Sequence, residues 1–186
     1  EEQIAWKRII KRFRSCCQTA KEHGVALLID AEEYSMQIAT DQLVMDLMRE
    51  FNLNKAVVYN TVQLYLIDGN YRLEQMHMQA IQDSFYLGVK LVRGAYMEKE
   101  RKIAHKQSIP SPICASKAET DNSYHAAVDY CFKHLANIAV VFGSHNEESM
   151  IQAINLMDQY EIKPDDDRIW FSQLLGMSDH ISFALA

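Results

Sequence analysis

The chain has 186 residues, of which 48% are hydrophobic and 24% charged, so it can form one domain with a sizeable core. Its formal net charge of -6 argues against general nucleic-acid binding through a basic surface. The four cysteines include no C-x-x-C pair and are interpreted as reduced packing residues rather than zinc ligands. One acidic cluster, Asp30 with Glu32 and Glu33, follows a predicted strand, and no second cluster faces it. No metal site is therefore predicted.

Helical and strand patterns alternate from the first residues to the last. In chain order they are a helix over 3–22, the apolar run VALLID (25–30), a helix over 35–50, AVVY (56–59), a helix over 62–82, the first half of VKLVRGAYMEKER (89–101) with a charged helical segment after it, a helix over 119–135, IAVVFGS (138–144), a helix over 147–160 and RIWF (168–171). Short continuous apolar runs are typical of strands buried on both faces, so the pattern predicts βα units around a parallel sheet.

The predicted architecture is α/β, with no internal domain boundary over residues 1–186. Periodicity alone does not separate a doubly wound sheet from a (β/α)8 barrel of the TIM type. A complete barrel needs eight strands, and about five are predicted here, so a barrel would be incomplete in this chain.

Small or polar residues follow every predicted strand. The clusters are Asp30, Glu32 and Glu33; Asn60, Thr61 and Gln63; Gly94, Ala95 and Tyr96; Ser144, His145 and Asn146; and Ser172 with Gln173. One such residue would usually be a helix cap, as Asp30 or Ser144 could be. Because both architectures place functional groups at the carboxyl ends of parallel strands, five clusters at one end predict a site.

Two cations interrupt the apolar strand that begins VKLVRG. Side chains alternate along a strand, so Lys90, Val92 and Gly94 share one side and Arg93 lies on the other. A cation that faces a barrel interior needs an anion, a polar cofactor or a substrate, because an unpaired buried charge is costly. A Schiff-base lysine in a class I aldolase-like barrel fits the same position. Pairing with an acidic helix residue would explain Arg93 structurally.

The residues after this strand suit a flat ligand. Gly94 and Ala95 remove side-chain bulk beside the backbone, and Tyr96 offers a ring and a hydroxyl at the rim of that space. His145 and Asn146 end another strand, where they fit either a structural hydrogen bond or a ligand contact.

VKLVRGAYMEKER closely resembles the strand-five signature of the proline dehydrogenase family, flavoproteins that oxidise L-proline. Four further segments resemble other barrel blocks of that family in the family's order: IDAEE (29–33), QLY (63–65), SHNEE (144–148) and FSQLLGM (171–177). The resemblance covers nearly the whole chain and is greatest to the single-function members. It implies a distorted (β/α)8 barrel, with strands three to seven in this chain.

The resemblance also implies FAD as cofactor, with a hydride passing from the ring carbon beside proline's nitrogen to flavin N5. The product would be 1-pyrroline-5-carboxylate, and the electrons would then reach a membrane quinone. By position, Asp30 and Lys90 would be catalytic, with Lys90 near N5, while Tyr96 and Leu174 would pack on the proline ring. The implied flavin contacts are Ala31, Gln63, Val92, Arg93, Gly94, Ser144 and His145.

Peripheral membrane association follows from the quinone, at the inner membrane in a bacterial cytoplasm or on the matrix side in a mitochondrion. The family's first two strands find no match in this chain. Neither does the arginine pair of its eighth helix, which clamps the substrate carboxylate. We therefore expect a segment of a longer enzyme, and a non-catalytic piece prone to association through its sheet edges is the remaining alternative.

Overall fold

The computed structural model describes residues 2–186 as alternating helices and strands. The helices are α1 (Glu2–His23), α2 (Tyr34–Phe51), α3 (Gly69–Gln82), α4 (Met97–Gln107), α5 (Lys117–Lys133), α6 (Glu147–Gln159) and α7 (Asp179–Leu185). The strands are β1 (Leu27–Ile29), β2 (Val58–Gln63), β3 (Leu87–Val92), β4 (Ile138–Gly143) and β5 (Ile169–Ser172).

All five strands are parallel and lie side by side in chain order, β1-β2-β3-β4-β5. The helices cover one face of this sheet, where outward residues such as Ile29, Val89 and Val140 join helix residues in one apolar core. A doubly wound sheet would reverse its strand order and carry helices on both faces. The sheet is therefore a curled half-barrel. The α/β class and the incomplete barrel are confirmed, while the numbering of the strands as three to seven stays a prediction.

The register of the sheet separates two sets of side chains. Thr61, Lys90, Val141 and Trp170 are direct neighbours across β2 to β5 and point to the concave face. Lower on the same face, Tyr59 and Ala139 join Val141 in a small apolar cluster. The concave face is thus plugged by apolar side chains near its amino end and becomes polar toward its carboxyl end.

Strand β2 is longer than the apolar run AVVY predicts. It continues to Gln63, so Asn60, Thr61 and Gln63 lie inside the strand rather than after it. Their polar groups find partners that the sequence does not reveal: Asn60 Nδ2 donates to Asp41 Oδ1 at 2.8 Å, and Thr61 Oγ1 lies 3.4 Å from Asp30 Oδ1. Helix α3 accordingly begins at Gly69, not at 62.

The last described helix was not predicted. The apolar run at 181–185 carries no helix stop signal, yet it forms α7, and Ile181 packs into the main core. Tertiary burial of one apolar face stabilises this short helix, because so few residues form a marginal helix on their own.

Candidate active site

A cavity of about 640 Å³ opens at the carboxyl ends of the five strands. Every residue to which the family resemblance assigns a role borders it: Asp30, Ala31, Gln63, Lys90, Val92, Arg93, Gly94, Tyr96, Ser144, His145 and Leu174. Of the strand-end clusters, Asn60 and Glu33 do not border it, because Asn60 donates to Asp41 and Glu33 pairs with Lys99. The volume is typical of a small-molecule or cofactor site. Residues from all five strand ends therefore meet in one place, although their individual roles stay predictions.

Lys90 points into this cavity from the concave face of β3. Its Nζ lies 2.6 Å from Asp30 Oδ1, and Thr61 Oγ1 approaches the same carboxylate oxygen. The lysine side chain is 21% exposed and the aspartate side chain 68% exposed. Lys90 therefore lies in the wall of the cavity, and Asp30 lies at its open side. Of the partners that the sequence allows for a cation on this face, the structure shows an anion, the Asp30 carboxylate from the loop after β1, two strands away.

Arg93 is anchored away from the cavity, in agreement with the prediction of an acidic helix partner. Its Nε donates to Asp121 Oδ1 of α5 at 2.8 Å, and its two terminal nitrogens donate to Ser144 and Ser149 at 2.9 and 3.0 Å. The guanidinium also lies over the ring of Tyr124, 4.5 Å from its centroid. The main contacts of Arg93 therefore hold β3 to α5 and α6, although its side chain borders the cavity.

The carboxylate of Asp121 is held in its charged form by two cations. Burial alone would raise the pKa of Asp121, but hydrogen bonds from Lys117 and Arg93 bring it below its ordinary value. Lys117 Nζ lies 2.5 Å from the second oxygen of the same carboxylate. This cluster fixes the position at which α5 begins beside the cavity.

A contact that the sequence does not show explains why position 94 is a glycine. Its φ is +127°, and a Cβ added there would lie 2.5 Å from the ring of Tyr65. The sequence suggested that the missing side chain leaves room for a flat ligand. On this side of the backbone the flat group is Tyr65 of the protein itself.

Helix α4 is tied to the acidic loop that follows β1. The Tyr96 hydroxyl donates to the Glu32 carboxylate, and Lys99 Nζ lies 2.5 Å from Glu33 Oε1. The hydrogen bond to Glu32 raises the pKa of Tyr96 above its ordinary value. Both the loop and the tyrosine border the cavity, so these bonds help to define its rim.

Glu100 is a residue that sequence reasoning missed. The sequence predicted only a charged helical segment here, yet Glu100 is 5% exposed, and its Oε1 accepts a hydrogen bond from Tyr34 N at 2.9 Å. It therefore supplies an acceptor to the first turn of α2, where amide groups lack partners within the helix. The only sequence signal for this role is its position as the fourth residue of α4, which places it on the inward face of the helix.

The cluster after β4 combines capping with contacts to the cavity. Asn146, not Ser144, caps α6, because its Oδ1 accepts from Ser149 N at 3.0 Å. Ser144 Oγ instead accepts from Arg93 and from Asn146 N, and His145 Nδ1 lies 3.1 Å from Ser178 Oγ. The interpretation of Ser144 as a helix cap is therefore wrong.

A second cavity of about 930 Å³ adjoins the first and shares the segment from Arg93 to Tyr96 with it. Its lining is rich in cations, namely Lys99, Arg101, Lys102 and Lys117. Sequence reasoning missed Lys117 because helix α5 was expected to begin at 119. The spacing of Ser116 and Glu119 is a capping signal for the earlier start, and Ser116 Oγ does accept from Glu119 N at 3.1 Å.

Within residues 2–186, no group of three or more histidine, cysteine, aspartate and glutamate side chains is arranged to hold a metal ion. The four cysteines are free thiols, and burial raises the pKa of Cys17 to about 11. No helix in the same range combines the length and the apolar composition needed to cross a membrane.

Comparison with known proteins gives one consistent result. A family model described as proline dehydrogenase matches residues 1–186. The carbapenem antibiotics biosynthesis protein CarD of Pectobacterium carotovorum is 42% identical over 181 residues, which cover 97% of this chain and 46% of CarD. Human mitochondrial proline dehydrogenase 1 is 36% identical over 188 residues, which cover 100% of this chain and 31% of the human protein.

A solved structure shows the same fold. Proline utilization A (PutA) of Bdellovibrio bacteriovorus, inactivated by N-propargylglycine, superposes on 94% of this chain with a TM-score of 0.86 and 26% sequence identity. The matched region is 18% of that protein. The chain thus spans less than half the length of each of these relatives.

Proposed function

Because the chain belongs to the proline dehydrogenase family, we propose that this protein oxidises L-proline to 1-pyrroline-5-carboxylate with FAD as its cofactor. The observation that carries the proposal is Lys90, whose ammonium group is directed into a cavity at the carboxyl ends of a half-barrel and paired with Asp30. This end of a (β/α) barrel is where enzymes of the fold carry out their chemistry.

The lining of the cavity supports the assignment of a flavin ring to it. Val92 and Gly143 are neighbours on the wall, and a Cβ on Gly143 would lie 3.0 Å from Val92 Cγ1 and 3.5 Å from Lys90 Cε. A side chain there would therefore occupy the space in front of the lysine. Gln63 supplies an amide at the same wall, and the adjoining basic cavity suits the diphosphate of FAD. We assign Lys117 to that diphosphate.

FAD, when bound, supplies the two-electron oxidant that accepts a hydride from the ring carbon next to proline's nitrogen. The role of Lys90 is to hold a positive charge where negative charge develops during this transfer, which lowers the energy of the transition state. Asp30 keeps Lys90 in place through the 2.6 Å contact.

We assign the binding of proline to the side of the cavity formed by Asp30, Tyr96 and Leu174. Asp30 uses Oδ1 for Lys90 and Thr61, so Oδ2 is available to orient the ring nitrogen of proline by a charge-assisted hydrogen bond. Tyr96 and Leu174 would pack on the ring and exclude water. Residues 2–186 hold no match for the family's arginine pair, to which we assign the substrate carboxylate.

The Schiff-base alternative is less well supported by the contacts of Lys90. Attack on a carbonyl requires an amine that is free of other contacts, whereas Lys90 Nζ lies 2.6 Å from Asp30 Oδ1. Borohydride reduction in the presence of candidate carbonyl substrates would trap a covalent adduct on Lys90 if this alternative held.

The electron acceptor that we propose is a membrane quinone, reached through peripheral contact with the membrane. Relatives from Homo sapiens and Drosophila melanogaster carry names that place them in mitochondria. The proposal accommodates the matrix side of a mitochondrial inner membrane or the cytoplasmic side of a bacterial one.

The decisive experiment uses the full-length protein. We expect it to purify with yellow flavin absorbance, which L-proline bleaches under anaerobic conditions, and we expect the pyrroline product to be trapped by o-aminobenzaldehyde. A colourless protein that takes up no added FAD would contradict the proposal. A yellow protein whose flavin is not reduced by proline would support the cofactor assignment and contradict the substrate assignment.

A further inference from the structure

Gln63 lies at the end of β2 with its side-chain amide at the wall of the cavity, and only 4% of the residue is exposed. Its Nε2 donates to the backbone oxygen of Glu32 at 3.0 Å and to Oε1 of Gln37 at 3.4 Å. A glutamine amide has two N–H donors, so both are committed to the protein. Within residues 2–186, no donor reaches its Oε1, which leaves the carbonyl oxygen for the cavity.

The orientation of Gln37 follows from its other neighbour. Gln37 is 4% exposed, and its Nε2 donates to Asp41 Oδ1 at 2.6 Å, one turn along α2. A carboxylate only accepts hydrogen bonds, so the nitrogen of Gln37 must face Asp41 and its oxygen must face Gln63. The backbone oxygen of Glu32 at one end and the carboxylate of Asp41 at the other therefore determine the orientations of the Gln63 and Gln37 amides.

A partly buried ion pair anchors the far end of this series of hydrogen bonds. Arg72 of α3 pairs with Oδ2 of Asp41, both side chains are 16% exposed, and Asn60 Nδ2 donates to Oδ1 of the same carboxylate at 2.8 Å. Burial lowers the pKa of Arg72, but its hydrogen bond and ion pair with Asp41 outweigh this and raise the pKa above its ordinary value. Asp41 thus keeps a charged partner and does not need to turn away from Gln37.

We propose that Gln37 is a positioning residue, which holds Gln63 with its carbonyl oxygen toward the cavity so that this position accepts a hydrogen bond from a ring N–H of the cofactor. The inference rests on the proposed function. An oxidised flavin ring has a single N–H, at N3, flanked by two carbonyl groups. A glutamine free to turn would instead present its NH₂ group to those carbonyls. Gln37 Oε1 and the backbone oxygen of Glu32 together hold the amide of Gln63 in the accepting orientation.

The first measurement is made on the wild-type, full-length protein loaded with ¹⁵N-labelled FAD. We expect the N3–H proton to give a resolved, downfield resonance that exchanges slowly with water, because it donates to a buried acceptor. This measurement does not depend on whether any variant folds. A protein that binds FAD while its N3–H exchanges as fast as in free FAD would overturn the inference and leave the proposed function standing.

The second measurement compares Gln37→Met with a matched control on the same helix. Gln42 makes the same type of hydrogen bond to Asp46 four residues later, at 3.2 Å, but on the exposed face of α2. We expect Gln37→Met to move the N3–H resonance upfield, to speed its exchange and to weaken FAD binding by about three- to tenfold, the range for loss of one neutral hydrogen bond. Gln42→Met should match wild type in all three.

The results separate the two levels of the proposal. Equal N3–H exchange and equal FAD affinity in a folded Gln37→Met, Gln42→Met and wild type would remove Gln37 from the positioning role. Failure of the wild-type protein to bind FAD would instead reject the function from which the inference starts. The melting temperature of each variant, measured before loading, establishes that it is folded.

Discussion

Lys90 and Arg93 lie three residues apart in one segment, and each pairs with an aspartate, yet their surroundings differ. Lys90 meets Asp30 at the open side of the cavity, where the carboxylate is 68% exposed. Arg93 meets Asp121 against two helices, with both side chains close to 20% exposed, at 21% and 22%. The alternation of side chains along a strand therefore gives one segment a cation that is available to a ligand and a cation that holds helices together.

The largest expected effect is on activity, from removal of the cation in the cavity. In the full-length protein, Lys90→Met should lower kcat/KM for proline by about 100-fold or more, because a fixed charge beside the reacting ring is lost. Its free energy of unfolding should change little, since Asp30 is already largely solvated. Steady-state kinetics tests the effect on kcat/KM, and urea unfolding of the same preparation tests the effect on stability. An unchanged kcat/KM would contradict the role of Lys90.

Arg93→Met should have the opposite profile, with stability as its main effect. It removes the donor that Arg93 gives to Ser144 and Ser149 and leaves Asp121 with only Lys117, so we expect a loss of about 3 kcal/mol in the free energy of unfolding. Lys99→Met is the matched control, because its ion pair with Glu33 is exposed and should contribute at most about 1 kcal/mol. Equal losses in the two variants would show that Arg93 is not the anchor described above.

Gly94→Ala tests whether the small residue between the two regions serves the fold. A Cβ there overlaps the ring of Tyr65, and the backbone at φ +127° disfavours alanine, so the expected loss is about 2 kcal/mol. Chemical denaturation measures it. Replacing Tyr65 with leucine in the same chain should recover part of the loss, and no recovery would point to the backbone conformation alone.

The smallest effect concerns pH. The pKa of Asp121 is lowered in the folded protein, so its contribution to stability is fully present above its ordinary value near 3.8. That contribution is lost as the pH falls through the lower, folded value, because protonation breaks the contacts with Lys117 and Arg93. Asp121→Asn should be less stable than wild type at pH 7, and the difference should shrink below pH 3.8. A constant difference would contradict the coupling.

The helix-facing half of the fold was predictable because its signal is local. Apolar periodicity placed five strands and most helices, and the outward row that contains Val89 and Val140 is apolar wherever helices cover it. The end of β2 was not predictable in this way. Asn60 and Thr61 resemble loop residues in sequence. Their side chains can be buried in a strand because they form contacts with Asp41 and Asp30.

The site was predictable in its membership and less so in its contacts. Motif resemblance and strand-end position brought together residues such as Lys90, Gln63 and His145, all of which border one cavity. Neither signal indicated Glu100 or Gln37, because a glutamate in a charged helix and a glutamine near the start of a helix look like surface residues. Their burial depends on partners 66 and 26 residues away.

By itself, the amino-acid sequence determined the α/β alternation, the polar ends of the strands and the family to which these segments belong. The tertiary structure decided that the sheet curls with its helices on one face, that Lys90 pairs with Asp30, and that Gln63 Nε2 donates to the backbone oxygen of Glu32. The reason is physical. Periodicity and motifs record what each segment does with its own neighbours, whereas charge pairing and amide orientation depend on acceptors that only folding brings within about 3 Å.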